Sequence, residues 1–264
     1  VSVLLALAAL AMAPVSALPP PHAEVDPRRV EISSTFLGRD LFLFGHAEAG
    51  TRWVVAVMEG PPTDSVRLME KGRVALFWLG VRQYRLSGVP GVYLVNMSCP
   101  SCQGLAVCRH TGVLESCNRL LLPDGVVVGP EGIAARARVS SLSGALRQGE
   151  AERVVQGFWT LQEARNLYGL HTNAIRLNAQ GVFYHTFSLP ACAPDGRYRI
   201  TTYFLGGDRL LGVESNEVIV RKTGMVESLS RLAERRPIVY GALAVVIAVA
   251  AGWLTGTLFK RGGH

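Results

Sequence analysis

The amino-acid sequence predicts a mostly β protein: two Ig-like antiparallel β-sandwich domains, an intervening helical segment and one C-terminal transmembrane helix. Three observations carry that prediction. Short runs of β-branched and aromatic residues, about ten residues apart and divided by Gly, Pro and Asp, fill two separate regions; this is the pattern of sandwich strands rather than of alternating βα units. Within Tyr198–Phe204, residues Tyr198, Ile200, Thr202 and Phe204 recur at period 2, which places them on one face of a strand. Finally, Pro237–Phe259 runs for 23 residues without a charge.

At the N-terminus, Val3–Ala13 is an uncharged apolar stretch of eleven residues. A bilayer requires roughly 20, but the length suits the core of a secretory signal. Val15-Ser16-Ala17 supplies the small residues of a cleavage site, so residues 1–17 are expected to be a signal peptide. It reads as truncated, since neither Met nor a basic n-region precedes the apolar core. A stiff, extended linker is expected at Leu18-Pro19-Pro20-Pro21-His22.

The first sandwich is expected over residues 24–102, with strands at Val30–Phe36, Leu41–Ala47, Arg52–Met58, Ser65–Met69, Val74–Leu79, Gln83–Leu86 and Val92–Met97. Residues 103–170 form a linking segment in which only Glu150–Tyr168 has a helical period. There Val154, Val155, Phe158 and Leu161 fall on one stripe, and Gly169 is placed to stop the helix. The second sheet domain, residues 171–224, reads as strands Asn173–Leu177, Val182–Leu189, Gly196–Leu205, Arg209–Val213 and Asn216–Lys222.

The span 237–259 is expected to cross a membrane, because at 1.5 Å per residue it makes about 34 Å of helix. Arg235 and Arg236 bound it on one side, Lys260 and Arg261 on the other, with Tyr240 and Trp253 towards its ends. Counting positive charges alone favours a cytoplasmic body, since Arg221, Lys222, Arg231, Arg235 and Arg236 precede the span. An export signal overrides that count. The expected arrangement is an inner-membrane, single-pass protein with a periplasmic body and residues 260–264 as cytoplasmic tail; the rival is a tail-anchored cytosolic protein. Ala244, Ala248, Gly252 and Gly256 recur every four residues and form a candidate helix-packing face, either for self-association or against a multi-span partner.

Composition narrows the function classes. Of 264 residues, 49% are hydrophobic and 18% charged, with mean hydropathy +0.25, which excludes a disordered chain. The net charge is +7, but only Lys71, Lys222 and Lys260 among the 27 basic residues are lysines, and no basic block is interleaved with aromatics. A nucleic-acid partner is therefore not expected.

The sharpest chemical signal is the cluster Cys99, Cys102, Cys108 and Cys117, with Cys192 distant. Three chemistries fit it. Structural disulfides are the default in an oxidising compartment. Thiol–disulfide exchange could use the Cys99-Pro100-Ser101-Cys102 motif. Metal binding could draw on Cys99, Cys102, Cys108 and His110, at a spacing irregular for structural zinc. Gln103 occupies the position that a haem-attachment His would need. GxSxG, HExxH, Walker and GxGxxG signatures are absent, and the acidic residues form no dyad; Asp40, Glu59 and Glu70 read as solvated charges at strand ends and turns. No enzymatic activity and no cofactor are expected.

Several ordered motifs run along the chain. They are Phe36–Gly45, Val54–Val57 leading into Gly60-Pro61, and Arg73-Val74 leading to Trp78. Val89-Pro90-Gly91-Val92-Tyr93, Leu189-Pro190 with Pro194–Tyr198, and Tyr240-Gly241 with Gly252-Trp253 complete the series. In this order they resemble the uncharacterised alphaproteobacterial transmembrane protein family over nearly the whole chain. The resemblance implies a signal, an exported domain and one C-terminal span, with no assigned activity and no functional residues to carry over. It also implies an accessory role beside a sulfite or organosulfonate exporter-type permease, since members are often encoded next to one.

Overall fold

A computed structural model describes residues 20–33, 35–74, 76–98, 120–121, 125–206, 209–224 and 232–260. The signal segment 1–17 and residues 261–264 of the tail lie outside the described residues. In chain order the first strands are β1 (His22–Asp26), β2 (Arg29–Ile32), β3 (Gly38–His46) and β4 (Trp53–Glu59). β5 (Val66–Val74), β6 (Phe77–Ser87), β7 (Tyr93–Met97), β8 (Leu120–Leu121) and β9 (Val127–Val128) follow. Next come α1 (Pro130–Arg136), β10 (Arg138–Ser141) and α2 (Glu150–Glu163). The chain continues through β11 (Tyr168–His171), β12 (Arg176–Leu177), β13 (Val182–Pro190), β14 (Gly196–Leu205), β15 (Leu210–Lys222) and α3 (Pro237–Lys260).

The mostly β prediction holds, but its division into two sandwiches does not. The two larger sheets have the orders β1-β3-β13-β12 and β11-β7-β4-β14-β15-β2, beside a three-stranded sheet β10-β6-β5 and the pair β8-β9. Each of the two larger sheets mixes strands from both expected domains: β13 pairs with β3, and β14 with β4. β1–β4, β7 and β11–β15 therefore build one sandwich with one core. The physical reason lies in β4, where Trp53–Met58 are buried on both faces. A strand with two apolar faces needs a cover on each side, and the second half of the chain completes both its sheet and the facing one. Most pairings are antiparallel, as expected, but β11–β7 and β15–β2 are parallel.

Alternation sets which side chains meet between the sheets. In β3, Leu41 and Leu43 are buried while Phe42 and Phe44 face out. Phe183, Phe187 and Leu189 of β13 are buried beside them. From the facing sheet come Tyr198, Ile200, Thr202 and Phe204, all fully buried on the face that their spacing predicts. The Phe183 and Phe204 rings meet across the core at 5.6 Å and 69°.

Several expected boundaries move. The Leu18–His22 linker gives way at His22 to β1, held against the other sheet by Glu214, whose carboxylate accepts from the Ala23 N–H and lies 2.9 Å from His22 Nδ1. Residues 210–222 form one strand instead of two, since Glu214, Ser215 and Asn216 stay paired with Thr202, Thr201 and Ile200 of β14. The expected strand Val74–Leu79 is split by the hairpin turn: Val74 ends β5, and Phe77–Leu79 fuse with Gln83–Leu86 into β6, because Gly80 sits opposite Lys71 beside a bulge rather than in a turn. α2 stops at Glu163, not Tyr168: Asn166 takes the left-handed conformation (φ 57°) and Leu167 N–H donates to Gln162 O at 3.0 Å. This is a Schellman-type stop made with Asn, which leaves Gly169 free to enter β11.

Three of the Pro/Gly motifs converge on a single corner. Gly91 N–H donates to Pro61 O at 2.7 Å, and Tyr198 Oη donates to Pro194 O at 2.6 Å. Gly196, at φ 145°, lies so close that a Cβ there would stand 2.7 Å from Pro61 Cβ. The chain leaves the sandwich at this end: Gly196 pairs with Val220, and Lys222 binds Asp195 at 2.9 Å before the last 14 residues to α3.

Among the described residues, α3 is the one helix long and apolar enough to cross a membrane, and none of Pro237–Gly256 is buried.

Candidate functional site

A helical layer covers the outer face of β7 and β4. Tyr168 packs edge-on to Phe158 (5.6 Å) and Trp159 (5.2 Å), and its hydroxyl donates to Pro90 O at 2.6 Å. α1 begins beside this aromatic cluster, where Pro130 suits the first helical turn and Gly129 N–H donates to Tyr93 Oη at 3.1 Å. Gly132 faces Val127 O so closely that a Cβ would stand 2.2 Å from it, so only glycine lets the helix seat there.

This seating aims Arg136, in the last turn of α1, at the sheet. Its Nη2 meets Glu59 Oε1 at 2.9 Å, its Nε donates to Gly132 O at 3.3 Å, and its Cζ lies 5.6 Å from the Tyr93 ring centre. Arg199 of β14 stands directly opposite Glu59 in register. Between α1 and β14 lies a cleft of about 440 Å³, floored by Val57, Thr201 and Tyr203 with Arg136, Arg199 and Glu59 at its rim. Burial pushes the Tyr93 phenol up to about 12, partly opposed by the Gly129 N–H and the Arg136 charge. Tyr93 therefore stays a neutral hydrogen-bonding group. A guanidinium fixed by a carboxylate and a ring, with Arg199 beside it over a partly apolar floor, forms a recognition surface for a polar group attached to an apolar one.

A second cleft, about 560 Å³, separates α2 from the base of the β5–β6 hairpin; Leu68, Val154, Phe158 and Leu161 line it. At its floor the Tyr84 hydroxyl lies 2.8 Å from both Glu70 Oε2 and Glu150 Oε1. The Glu150 carboxylate, 2% exposed, also accepts from Arg82 and from the Arg147 N–H at 2.8 Å. This cluster clamps the hairpin to the helix start, and burial followed by the two carboxylates pushes the Tyr84 phenol up to about 12.

Two groups make the fold acid-sensitive. The Arg147 N–H, aided by Tyr84 and Arg82 and opposed by burial, holds the Glu150 carboxyl below its ordinary 4.5. Its contribution is complete above 4.5 and disappears as pH falls through the depressed value. Burial holds the His185 imidazole below 6.5; its Nδ1 lies 3.0 Å from Ala174 O and its ring 4.7 Å from Phe187. Below about 6.5 the unfolded chain binds a proton that the native state refuses, so stability falls with pH there too. Thermal unfolding of the full chain in detergent is expected to show both declines, and His185→Gln to remove only the upper one. An unaltered slope between pH 6.5 and 5 in that variant would reject the assignment.

The residues singled out in the sequence fall elsewhere. Cys99, Cys102, Cys108, Cys117 and His110 lie outside the described residues. Cys192 is exposed between β13 and β14, its Sγ 3.8 Å from Arg165 O. No group of three or more His, Cys, Asp or Glu suited to a metal occurs among the described residues. Ala244, Ala248, Gly252 and Gly256 share one exposed face of α3, and a Cβ on either glycine would meet nothing within 4 Å. Glu59 and Glu70, expected to be merely solvated, instead hold Arg136 and the Tyr84 cluster. The sequence offered little sign of the cleft, because Arg136 sits in the segment with no readable period.

A family profile described as "Putative transmembrane protein (Alph_Pro_TM)" matches residues 22–261. No curated protein and no solved structure matches the chain.

Proposed function

Because the chain belongs to that transmembrane family, we propose that it is a membrane-tethered, non-catalytic accessory protein that binds a membrane-embedded transport partner. The body stands on the periplasmic side of the inner membrane, α3 crosses it, and residues 260–264 form the cytoplasmic tail. The partner is of the exporter-permease type that the sequence resemblance implies. The observation that carries this reading is the position of the Arg136–Glu59–Arg199 cleft. Arg199 lies on β14 three residues from Gly196, at the end of the sandwich from which the chain runs to the membrane. A cleft there is placed to receive a periplasmic loop of a protein embedded beside α3. The Ala244–Gly256 stripe supports the same partner inside the bilayer, where small residues allow close helix approach.

Affinity purification of the full chain from native membranes tests this. Arg199→Glu, at an exposed position, and Gly252→Leu are each expected to cut recovery of a multi-span partner about tenfold, equivalent to roughly 1.4 kcal/mol. Undiminished recovery in both variants would overturn the proposal. Crosslinked dimers of the chain in cells lacking the permease would point instead to a structural homodimer.

A further inference from the structure

Beyond the Glu70–Arg82 pair, β5 and β6 leave the body as a two-stranded ribbon that pairs as far as Val74 and Phe77. The third strand, β10, reaches only Tyr84, and Leu142 N–H adds one bond to Gln83 O. An isolated two-stranded ribbon is marginal in water. This one also exposes apolar side chains that a water-facing arm would not retain: Leu76 is 81% exposed, Phe77 69% and Leu79 51%.

The register sorts these residues by face. Leu79 stands opposite Gly72, so it shares that face with Phe77, two residues away. Val81 folds over the same glycine, its methyl carbons 2.9 Å from where a Cβ would be. Lys71 and Arg73, one residue out of phase, take the opposite face, and both are exposed. One side of the ribbon is therefore apolar, and the other carries the two basic residues, with Trp78 in register opposite Arg73. Between Lys71 and Val81 the sequence holds no acidic residue.

The geometry points to a second membrane contact: the distal β5–β6 ribbon docks on the bilayer that α3 anchors, its apolar face in the acyl–headgroup boundary and its basic face towards anionic headgroups. Three features favour this occupant over others. Edge-to-edge pairing with a second copy would line up four like charges on one face, which disfavours self-association. Apolar residues beside Lys and Arg form the composition of interfacial segments, whose basic groups are attracted to anionic lipid. The arm also lies within reach. It springs from the corner where Pro61 meets Gly196 and from which Lys222 leads to α3. The nine residues of β5 span about 30 Å, and the 14 residues between Lys222 and Pro237 extend to about 50 Å at most.

The test uses the full chain carrying benzoylphenylalanine at Phe77, reconstituted in vesicles of phosphatidylethanolamine and phosphatidylglycerol (7:3) with no other protein. Illumination is expected to yield lipid adducts at Phe77 and none from the same probe at Val182, on the opposite sheet. Lys71→Glu combined with Arg73→Glu is expected to lower adduct yield at least fivefold in these vesicles. In phosphatidylcholine vesicles the same pair should have little effect. Adducts of twice the chain mass, or no lipid adduct at Phe77, would overturn the inference. Because no permease is present, failure here leaves the transport-partner reading untouched, and the converse holds.

Discussion

Truncating Phe204 to alanine is expected to cost the protein about 3–5 kcal/mol, among the largest effects of any single core change. Phe204 is fully buried and meets Phe183 of the opposite sheet at 5.6 Å, so its removal opens a cavity between the two layers. β14 also holds the centre of the six-stranded sheet, between β4 and β15. Denaturant unfolding of the full chain in detergent, followed by tryptophan fluorescence, should therefore show one transition shifted as a whole. Phe183→Ala should behave alike, and a double-mutant cycle should return a coupling of about 0.5–1.5 kcal/mol for the ring pair. Two separable transitions, with only one moved by Phe204→Ala, would mean that the halves fold as independent domains after all.

Gly196→Val should be the second large loss, about 2–4 kcal/mol. The position combines two demands. Its φ of 145° is one that side-chain-bearing residues rarely adopt, and a Cβ would stand 2.7 Å from Pro61 Cβ. Separating strain from collision needs a control, which Gly50 supplies: φ is 93° but nothing lies within 4 Å. Gly50→Ala should cost only the backbone term, about 1 kcal/mol. Equal losses at Gly50 and Gly196 would show that the corner contact with Pro61 contributes nothing. Because the same corner leads to α3, Gly196→Val should also weaken partner recovery in membranes, whereas Gly50→Ala should not.

The cleft and the ribbon share a cause for having been hard to read. Arg136 meets Glu59 across 77 positions of sequence, through a short helix whose start is fixed by a tyrosine of another strand. No local period encodes such a meeting. The ribbon, by contrast, was visible as apolar strand signals at 74–79, but strand propensity says nothing about whether a face is covered. Its exposure follows from where α2 begins and β10 ends.

Local pattern alone established the class of this protein. Period-2 order in β3, β13 and β14 reflects one face packed and one wet, and a charge-free run of 23 residues is a thermodynamic preference for lipid, independent of any neighbour. It also set which glycine–proline motifs exist. Only the tertiary structure decided that two runs of strands interleave into one sandwich and that three such motifs form one corner beside the membrane tether. It alone turned Glu59 and Glu70 from surface charges into partners. Strand partners far apart in the chain are chosen by which pairing buries both faces of β4 at once, a condition that no segment can satisfy by itself.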